Sequence, residues 1–460
     1  MLVQSKCKSE SFLEKNRRFL YSDIYFLIII FIGALGFILK QERLTITIFM
    51  LMLAHNLIIT KDMLPNFLLL LFTGMVPLAR YNEGGYFYPL KYVAGVIIIA
   101  FIIHLIIYPP KYKGGKFLVS TILVAVAVTF GGLFSPSYMK NFKMPAIYYV
   151  FTLGLGMVGI YMLFESYIEH DNDKIIEYFA KMMTALGIMG IIMVITNYAE
   201  YHDLIETNFG VFVNRFQFGN NLSNNLLLAM PFTFYLSIKS KTPIIYFIIG
   251  CCQYLAIVFS LSRGGMISAT IMIPIIIGAT FYYNKKNRKG YSAAMVIIAI
   301  AVTLTVYFTV RNLGIKMVGL LQISSDEARV NLYKLAWQNF LEYPVFGTGL
   351  GYKYPAYYFP KDWCIYWYHS TLFQILGSLG ILGIFCYSYQ YFVRLKTVFS
   401  SKNAFNIFVL LSFVGFEGYS LVNVGNFAPL PYVVIVIVMF IILDRSNQMN
   451  SRLLTANCSK

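Results

Sequence analysis

Four residues stand where a cation or a titratable ring could do chemistry. Arg215 lies in Asn214-Arg215-Phe-Gln-Phe-Gly219-Asn220-Asn221, and Arg263 in Ser262-Arg263-Gly264-Gly265, a break between two apolar runs. Arg329 opens an amphipathic stretch, and His369 stands directly before a long apolar run. Guanidinium groups stay charged at any working pH and pair bidentately with phosphate oxygens, so three of them can hold a pyrophosphate without a metal ion. Imidazole titrates near neutrality and can take the proton of a hydroxyl nucleophile. Together they describe attack by an alcohol on a carbon bearing a pyrophosphate leaving group. Taken singly, each arginine reads equally well as a juxtamembrane residue snorkelling to headgroups, and His369, among Trp363, Tyr366, Trp367 and Tyr368, as one more ring of an aromatic belt. Convergence on one face, each beside a glycine or a loop break, favours a polyanionic ligand.

The elements that must position these residues are membrane helices. At 58% hydrophobic and 12% charged over 460 residues, the chain holds more apolar surface than one soluble core could bury. Apolar runs long enough to cross about 30 Å of hydrocarbon recur from Ile24 to Leu443. They predict helices near 24–39, 44–60, 63–79, 90–108, 117–134, 147–168, 180–198, 222–238, 243–261, 264–283, 292–310, 370–392, 404–424 and 428–444. The expected fold is an all-α polytopic integral membrane helical bundle of 12–14 transmembrane helices, with a long extracytoplasmic loop containing an amphipathic helix.

Charge sets the expected orientation. Lys15, Arg17 and Arg18 precede the first run with no small-residue cleavage site after it, which predicts a retained helix whose amino end is cytoplasmic. Alternation from there puts Lys111, Lys113 and Lys116, Lys239 and Lys241, the Lys285–Lys289 cluster, and Arg394 with Lys396 on the cytoplasmic side, in keeping with the positive-inside rule. The expected layout is a cytoplasmic segment 1–23, a transmembrane bundle 24–310, an extracytoplasmic loop 311–368 with a surface helix, transmembrane helices 369–444 and a cytoplasmic tail 445–460. That describes a multi-pass protein of the cytoplasmic membrane with both termini inside and the site outside. Within the long loop, Ser324-Ser-Asp-Glu327 has capping-box form, and Val330, Tyr333, Trp337 and Leu341 follow at helical spacing until Pro344. The Phe346-Gly347-Thr-Gly349-Leu-Gly351 run that comes next permits close backbone approach, and by itself reads as a turn rather than a phosphate cradle.

Other signals point away from other classes. The net charge of +17 is scattered among loops and builds no basic domain, so topology and anionic lipid explain it better than nucleic acid. Six cysteines without CxxC spacing indicate neither a disulfide framework nor a zinc site. No cofactor is expected. Asp171-Asn-Asp173 has the D-x-D form of many metal-dependent sugar transferases, yet reads as a solvated cytoplasmic loop. His55 and His104 read as helix-packing histidines. Glu417 differs: an acid inside the apolar Phe408–Asn423 stretch should be paired or face a cavity, and is a second-tier candidate for orienting an arginine or the histidine.

These motifs resemble a known family. His369-Ser370, then nine residues, then Gly380-Ile-Leu-Gly383 is similar to the H-[NSQ]-x9-G-x-x-G signature of the O-antigen ligase and polymerase superfamily. Arg329…Trp337…Pro344-Val-Phe-Gly347-Thr-Gly349-Leu-Gly351 resembles its R…W…P-x-x-G-x-G-x-G stretch. Ser262-Arg263-Gly264 resembles its S-R-G motif, and Arg215-x3-Gly219-x4-Asn224 the R-x3-G-x4-N form of polymerase-like members. The four run in family order over roughly residues 210–385. The resemblance implies a metal-independent membrane glycosyltransferase. Its donor would be an undecaprenyl-pyrophosphate-linked glycan, and its acceptor a polysaccharide or lipid-linked sugar. Arg263 and Arg329, with Arg215, would bind the pyrophosphate, and His369 would activate the acceptor hydroxyl.

Two other classes remain open at this stage. A flippase for the same lipid-linked sugar should carry its charges near the bilayer midplane and show two related halves; no internal repeat is evident. A peptidoglycan-type polymerase would rely on an external acid, which makes Asp326, Glu327 and Asp362 its test residues.

Overall fold

The computed structural model describes residues 15–78, 90–112, 114–135, 149–168, 172–201, 219–313, 324–350 and 367–458. Among them helices dominate and no strand occurs. We label these α1 (Asp23–Ile38), α2 (Glu42–Ile59), α3 (Leu64–Leu78), α4 (Leu90–Ile107), α5 (Leu118–Phe130), α6 (Gly156–Tyr167), α7 (Asn172–Glu200) and α8 (Gly219–Lys239). The series continues with α9 (Pro243–Phe259), α10 (Arg263–Tyr283), α11 (Arg288–Leu313), α12 (Ser324–Glu342), α13 (Thr371–Val398), α14 (Ala404–Ser420) and α15 (Val434–Cys458). Among the described residues, six helical stretches are long and apolar enough to cross a membrane: Glu42–Ile59, Val150–Tyr167, Lys174–Glu200, Arg263–Tyr283, Thr371–Val398 and Pro431–Met449. Shorter apolar helices accompany them at α1, α3, α4, α5, α9 and α14. The chain is thus an all-α polytopic membrane protein.

Helix starts follow local chemistry. Ser22 caps α1 by accepting from Tyr25 N, Pro243 occupies the first turn of α9, and Asn403 caps α14 by accepting from Asn406 N at 2.8 Å. Two compact units emerge, one formed by residues 1–113, 164–262 and 276–288, the other by 114–163, 263–275 and 289–460.

In the first unit, small residues let helices approach closely. A Cβ on Gly250 of α9 would stand 2.6 Å from the Phe234 ring of α8, and one on Gly33 of α1 3.1 Å from Phe72 of α3. Thr184 of α7, Thr233 of α8 and Gln253 of α9 form a buried hydrogen-bonded chain, with the two threonine hydroxyls 3.1 Å apart and Gln253 Nε2 donating to Thr233 at 2.9 Å. His104 is buried, its Nδ1 2.7 Å from the Leu57 carbonyl, as a packing histidine should be. His55, by contrast, faces outward from α2.

In the second unit, the central element is α13, which is broken at Gly380 (φ 61°, ψ −153°). A straight helix would separate Thr371 from Tyr391 by about 30 Å. Instead both reach one short return segment after α14: Thr371 Oγ1 donates to Asn423 O at 3.4 Å, and Asn426 Nδ2 donates to Tyr391 Oη at 3.1 Å. The two legs therefore bend around residues 421–428.

Several boundaries differ from the sequence expectation. Apolar periodicity ends α13 near residue 392 and leaves Arg394 in a loop, but the helix runs on to Val398 and Arg394 is only 5% exposed. Its guanidinium lies over the Phe413 and Phe440 rings at 5.7 and 5.5 Å, contacts that offset part of its desolvation. The final helix starts at Val434 rather than 428, because Gly425–Phe427 forms a 3₁₀ turn and the proline-bearing Pro429–Val433 a π turn. The last helix also continues to Cys458, through the segment expected as a tail. The helix expected over 147–168 opens with a π turn at Val150–Leu155.

The helix expected within the long loop exists as α12. Val330, Trp337 and Leu341 are exposed, whereas Leu332 and Ala336 are buried against Tyr368 beside Leu335 and Phe373. Three of the four apolar positions visible in sequence thus lie on the unpacked side of this helix, while the fourth, Tyr333, packs on Phe373. The side chains of Ser324, Asp326 and Glu327 lie outside the described residues, as do Arg215, Asp171, Gly351 and Asp362.

Candidate functional site

Three of the four candidate residues belong to the second unit, at the amino ends of α10, α12 and α13. His369 occupies the left-handed region (φ 54°), where a residue with a Cβ is strained by roughly 1–3 kcal/mol and must be held by its surroundings. The holding contacts are explicit. Tyr333 Oη donates to the His369 carbonyl at 3.3 Å, and the Tyr333 ring stacks on Phe373 at 4.4 Å. One residue earlier, Tyr368 N donates to Gln374 Oε1 at 2.9 Å, while Gln374 Nε2 donates to Ser378 Oγ at 2.9 Å. Asn339 of α12 donates to Tyr368 Oη at 2.7 Å, so α12 and the first leg of α13 are locked together on both sides of the histidine. Trp367 packs against Tyr149 and Phe427 at ring-centroid distances of 5.1 and 6.4 Å.

The His369 Nδ1 is buried and has no hydrogen-bond partner among the described residues. Burial pushes the His369 pKa below the ordinary histidine value, and the Arg329 charge lowers it further. Arg329 is therefore an electrostatic neighbour of the ring. It lies four residues before Tyr333, on the same face of α12 as the side chain that holds the histidine carbonyl.

Arg263 is the first residue of α10, after Leu261 in the left-handed region (φ 60°). The start of α10 packs on the end of α14: a Cβ on Gly264 would stand 2.6 Å from Val422 Cγ2 and 3.6 Å from the Tyr419 ring. Asn423 Nδ2 donates to Tyr419 Oη at 2.5 Å, and the Asn423 carbonyl receives Thr371 Oγ1 at the start of α13. One turn, residues 419–423, thus carries the amino ends of both α10 and α13. Helix amino termini present unpaired N–H groups and positive dipole ends, so this turn gathers fixed positive potential beside Arg263.

The glycine run is architecture. Thr348 N donates to Gly377 O at 2.9 Å and Gly349 N to Ser378 O at 2.8 Å, while Ile381 N donates to Pro344 O at 2.8 Å and Leu382 N to Val345 O at 3.1 Å. The break at Gly380 frees these backbone groups, and residues 344–349 pair with them. A Cβ on Gly380 would lie 2.5 Å from Pro344 O, and one on Gly347 2.5 Å from Leu379 N; both glycines have positive φ. Gly132 after α5 closes the other side, its N–H donating to Phe346 O at 2.7 Å.

Glu417 keeps different company from His369. Its Oε2 accepts from Tyr391 Oη at 2.7 Å and Asn426 Nδ2 at 2.9 Å, and its Oε1 is buried without a partner among the described residues. It ties the second leg of α13 to the return segment whose Asn423 touches the first leg.

Residues 245–388 match the family model for O-antigen ligase. This stretch, about a third of the chain, is similar to the O-antigen ligase superfamily. A search of curated proteins returns no match. The O-antigen ligase domain spans Arg263, Arg329, the glycine run, His369 and the Gly380 break, and excludes Arg215 and Glu417. Its function is accordingly of the membrane O-antigen ligase or polymerase type, in polysaccharide biosynthesis. Tyr333, Gln374, Asn339 and Asn423 are the supporting residues that motif spacing missed. Only Tyr333 left a trace, four residues after Arg329 on a helix.

Proposed function

We propose that the chain transfers a glycan from undecaprenyl pyrophosphate to an acceptor sugar hydroxyl at the outer face of the cytoplasmic membrane. Arg263 and Arg329, joined by Arg215, grip the pyrophosphate, and the amino ends of α10 and α13 add their dipoles to the same field. His369 takes the acceptor proton as the hydroxyl oxygen bonds to the anomeric carbon. The bond from that carbon to the pyrophosphate oxygen breaks, and undecaprenyl pyrophosphate departs with the electron pair. A neutral imidazole is the form that can accept the proton, and its lowered pKa favours that form.

The observation that carries this reading is the shared 419–423 turn, which brings the start of Arg263's helix and the start of His369's helix to one place in the second unit. The R-x3-G-x4-N form at Arg215, Gly219 and Asn224 favours chain polymerisation over joining to a carrier. Liposomes reconstituted with the protein and purified lipid-linked repeat units test both points. The native chain lengthens the glycan and His369→Ala does not. Full-length product from His369→Ala would remove the mechanism, and a single-repeat transfer to an added carrier would make the protein a ligase.

A further inference from the structure

The first unit contains a groove of about 270 Å³ between α1, α7 and α9 that the transfer reaction does not use. It runs for two turns along each helix. One end is polar, at Asp23, Lys181 and Thr242, and the other apolar, with Leu27, Ile188 and Ile249 on its walls. An amphiphile with a headgroup and a hydrocarbon chain has this distribution.

Charge at the mouth narrows the class. Lys181 Nζ meets two carboxylates, Asp23 at 2.8 Å and Glu177 at 2.7 Å, which leaves one negative charge in surplus. Both acids are open to solvent, their side chains 74% and 58% exposed. On the α9 rim, Thr242 follows Lys241, exposed and one residue away, with Lys239 exposed at the end of α8. An acidic pair at the mouth, with an exposed lysine next in sequence to the lining Thr242, suits a zwitterion whose ammonium meets Asp23 and Glu177 and whose phosphate is within the reach of Lys241. Seventeen residues of α9 separate this mouth from Ser262, about 25 Å along the helix. The groove therefore opens a membrane thickness from the Ser262 end of α9, and a pyrophosphate donor would bring no ammonium for its carboxylates.

We propose that this groove is a binding site for a phospholipid with a primary-ammonium headgroup. The primary ammonium donates hydrogen bonds that a trimethylated one cannot, so the site discriminates between the two at equal charge.

Native mass spectrometry of the full chain in detergent, incubated with an equal mixture of phosphatidylethanolamine, phosphatidylcholine and phosphatidylglycerol of one acyl composition, tests this. Phosphatidylethanolamine adducts should predominate. Asp23→Asn with Glu177→Gln should cut the preference over phosphatidylcholine roughly three- to fivefold, the scale of exposed ion pairs. Ile245→Trp, which narrows the trough and leaves the charges alone, should lower every adduct. If the double variant loses its thermal midpoint, Asp23→Asn alone supplies the comparison. Equal retention of the two zwitterionic lipids, preference for phosphatidylglycerol, or an unchanged preference in the acid variants would overturn the proposal.

Discussion

The two ends of the first leg of α13 are built to opposite rules. At the bend, Gly380 opens the helix, and the carbonyls of Gly377 and Ser378 and the N–H groups of Ile381 and Leu382 all find partners in residues 344–349. At the start, eleven residues earlier and just outside the helix, His369 sits in a strained conformation with a buried ring nitrogen that has no partner among the described residues. A buried polar atom left unpaired costs about 1–3 kcal/mol, so the described residues satisfy one end far more fully than the other. The left-handed backbone falls to glycine where two segments meet closely, and to a histidine at the start of the helix, where the proposed reaction needs a base.

The comparison breaks most sharply at its two named residues. His369→Ala should lower the rate of glycan transfer by a factor on the order of 10²–10⁴, the usual worth of a general base, with little change in thermal midpoint. Gly380→Ala should do the reverse. Its methyl would press on Pro344 O and Val345 and force positive φ on an L residue, costing at least about 1–3 kcal/mol of stability. Melting curves and liposome assays on both variants decide the matter. If His369→Ala melts as early as Gly380→Ala, the histidine is a structural residue and the distinction fails.

A third variant sharpens the electrostatics. His369 serves as a base only when neutral, so activity should be full above its lowered pKa and fall as pH drops through that value, below the ordinary value of about 6.5. Arg329→Gln removes the smaller of the two causes of the shift. Its acid limb should therefore move upward in pH while staying below the ordinary value, because burial remains. Substrate affinity should weaken at the same time through loss of the phosphate contact. A pH–rate profile identical to that of the native chain would separate Arg329 from the histidine.

Much of this was legible in the sequence, for reasons particular to each part. Long apolar runs announce helices because lipid leaves the backbone no other partner, and most of the expected spans were found near their places. Arg263, Arg329 and His369 stood out in the sequence as candidates because a charge or a titratable ring next to lipid is costly. The bend of α13 was not legible as a bend. Gly380 and Gly383 read as a motif, but that residues 344–349 would pair with the broken backbone depends on contacts between segments distant in sequence. Arg394 was misplaced because hydropathy sees the cost of a guanidinium and not the Phe413 and Phe440 rings that receive it. On α12 the spacing alone did not show which positions pack, since Val330, Trp337 and Leu341 are exposed while Tyr333 meets Phe373: in a membrane, apolar spacing marks a lipid-facing surface as readily as a packed one.

The smallest effect is the most informative about how the strained end is held. Tyr333→Phe deletes the hydroxyl that donates to the His369 carbonyl and keeps the ring that stacks on Phe373. One neutral hydrogen bond contributes about 0.5–1.5 kcal/mol, so global stability should barely move. Turnover should fall by roughly three- to tenfold through misplacement of the imidazole, with the Michaelis constant for the donor unchanged, since Arg263 and Arg329 are untouched. A fall in donor affinity instead would mean that the hydroxyl acts on the substrate itself, and that the start of α13 is held by Gln374 and Asn339 alone.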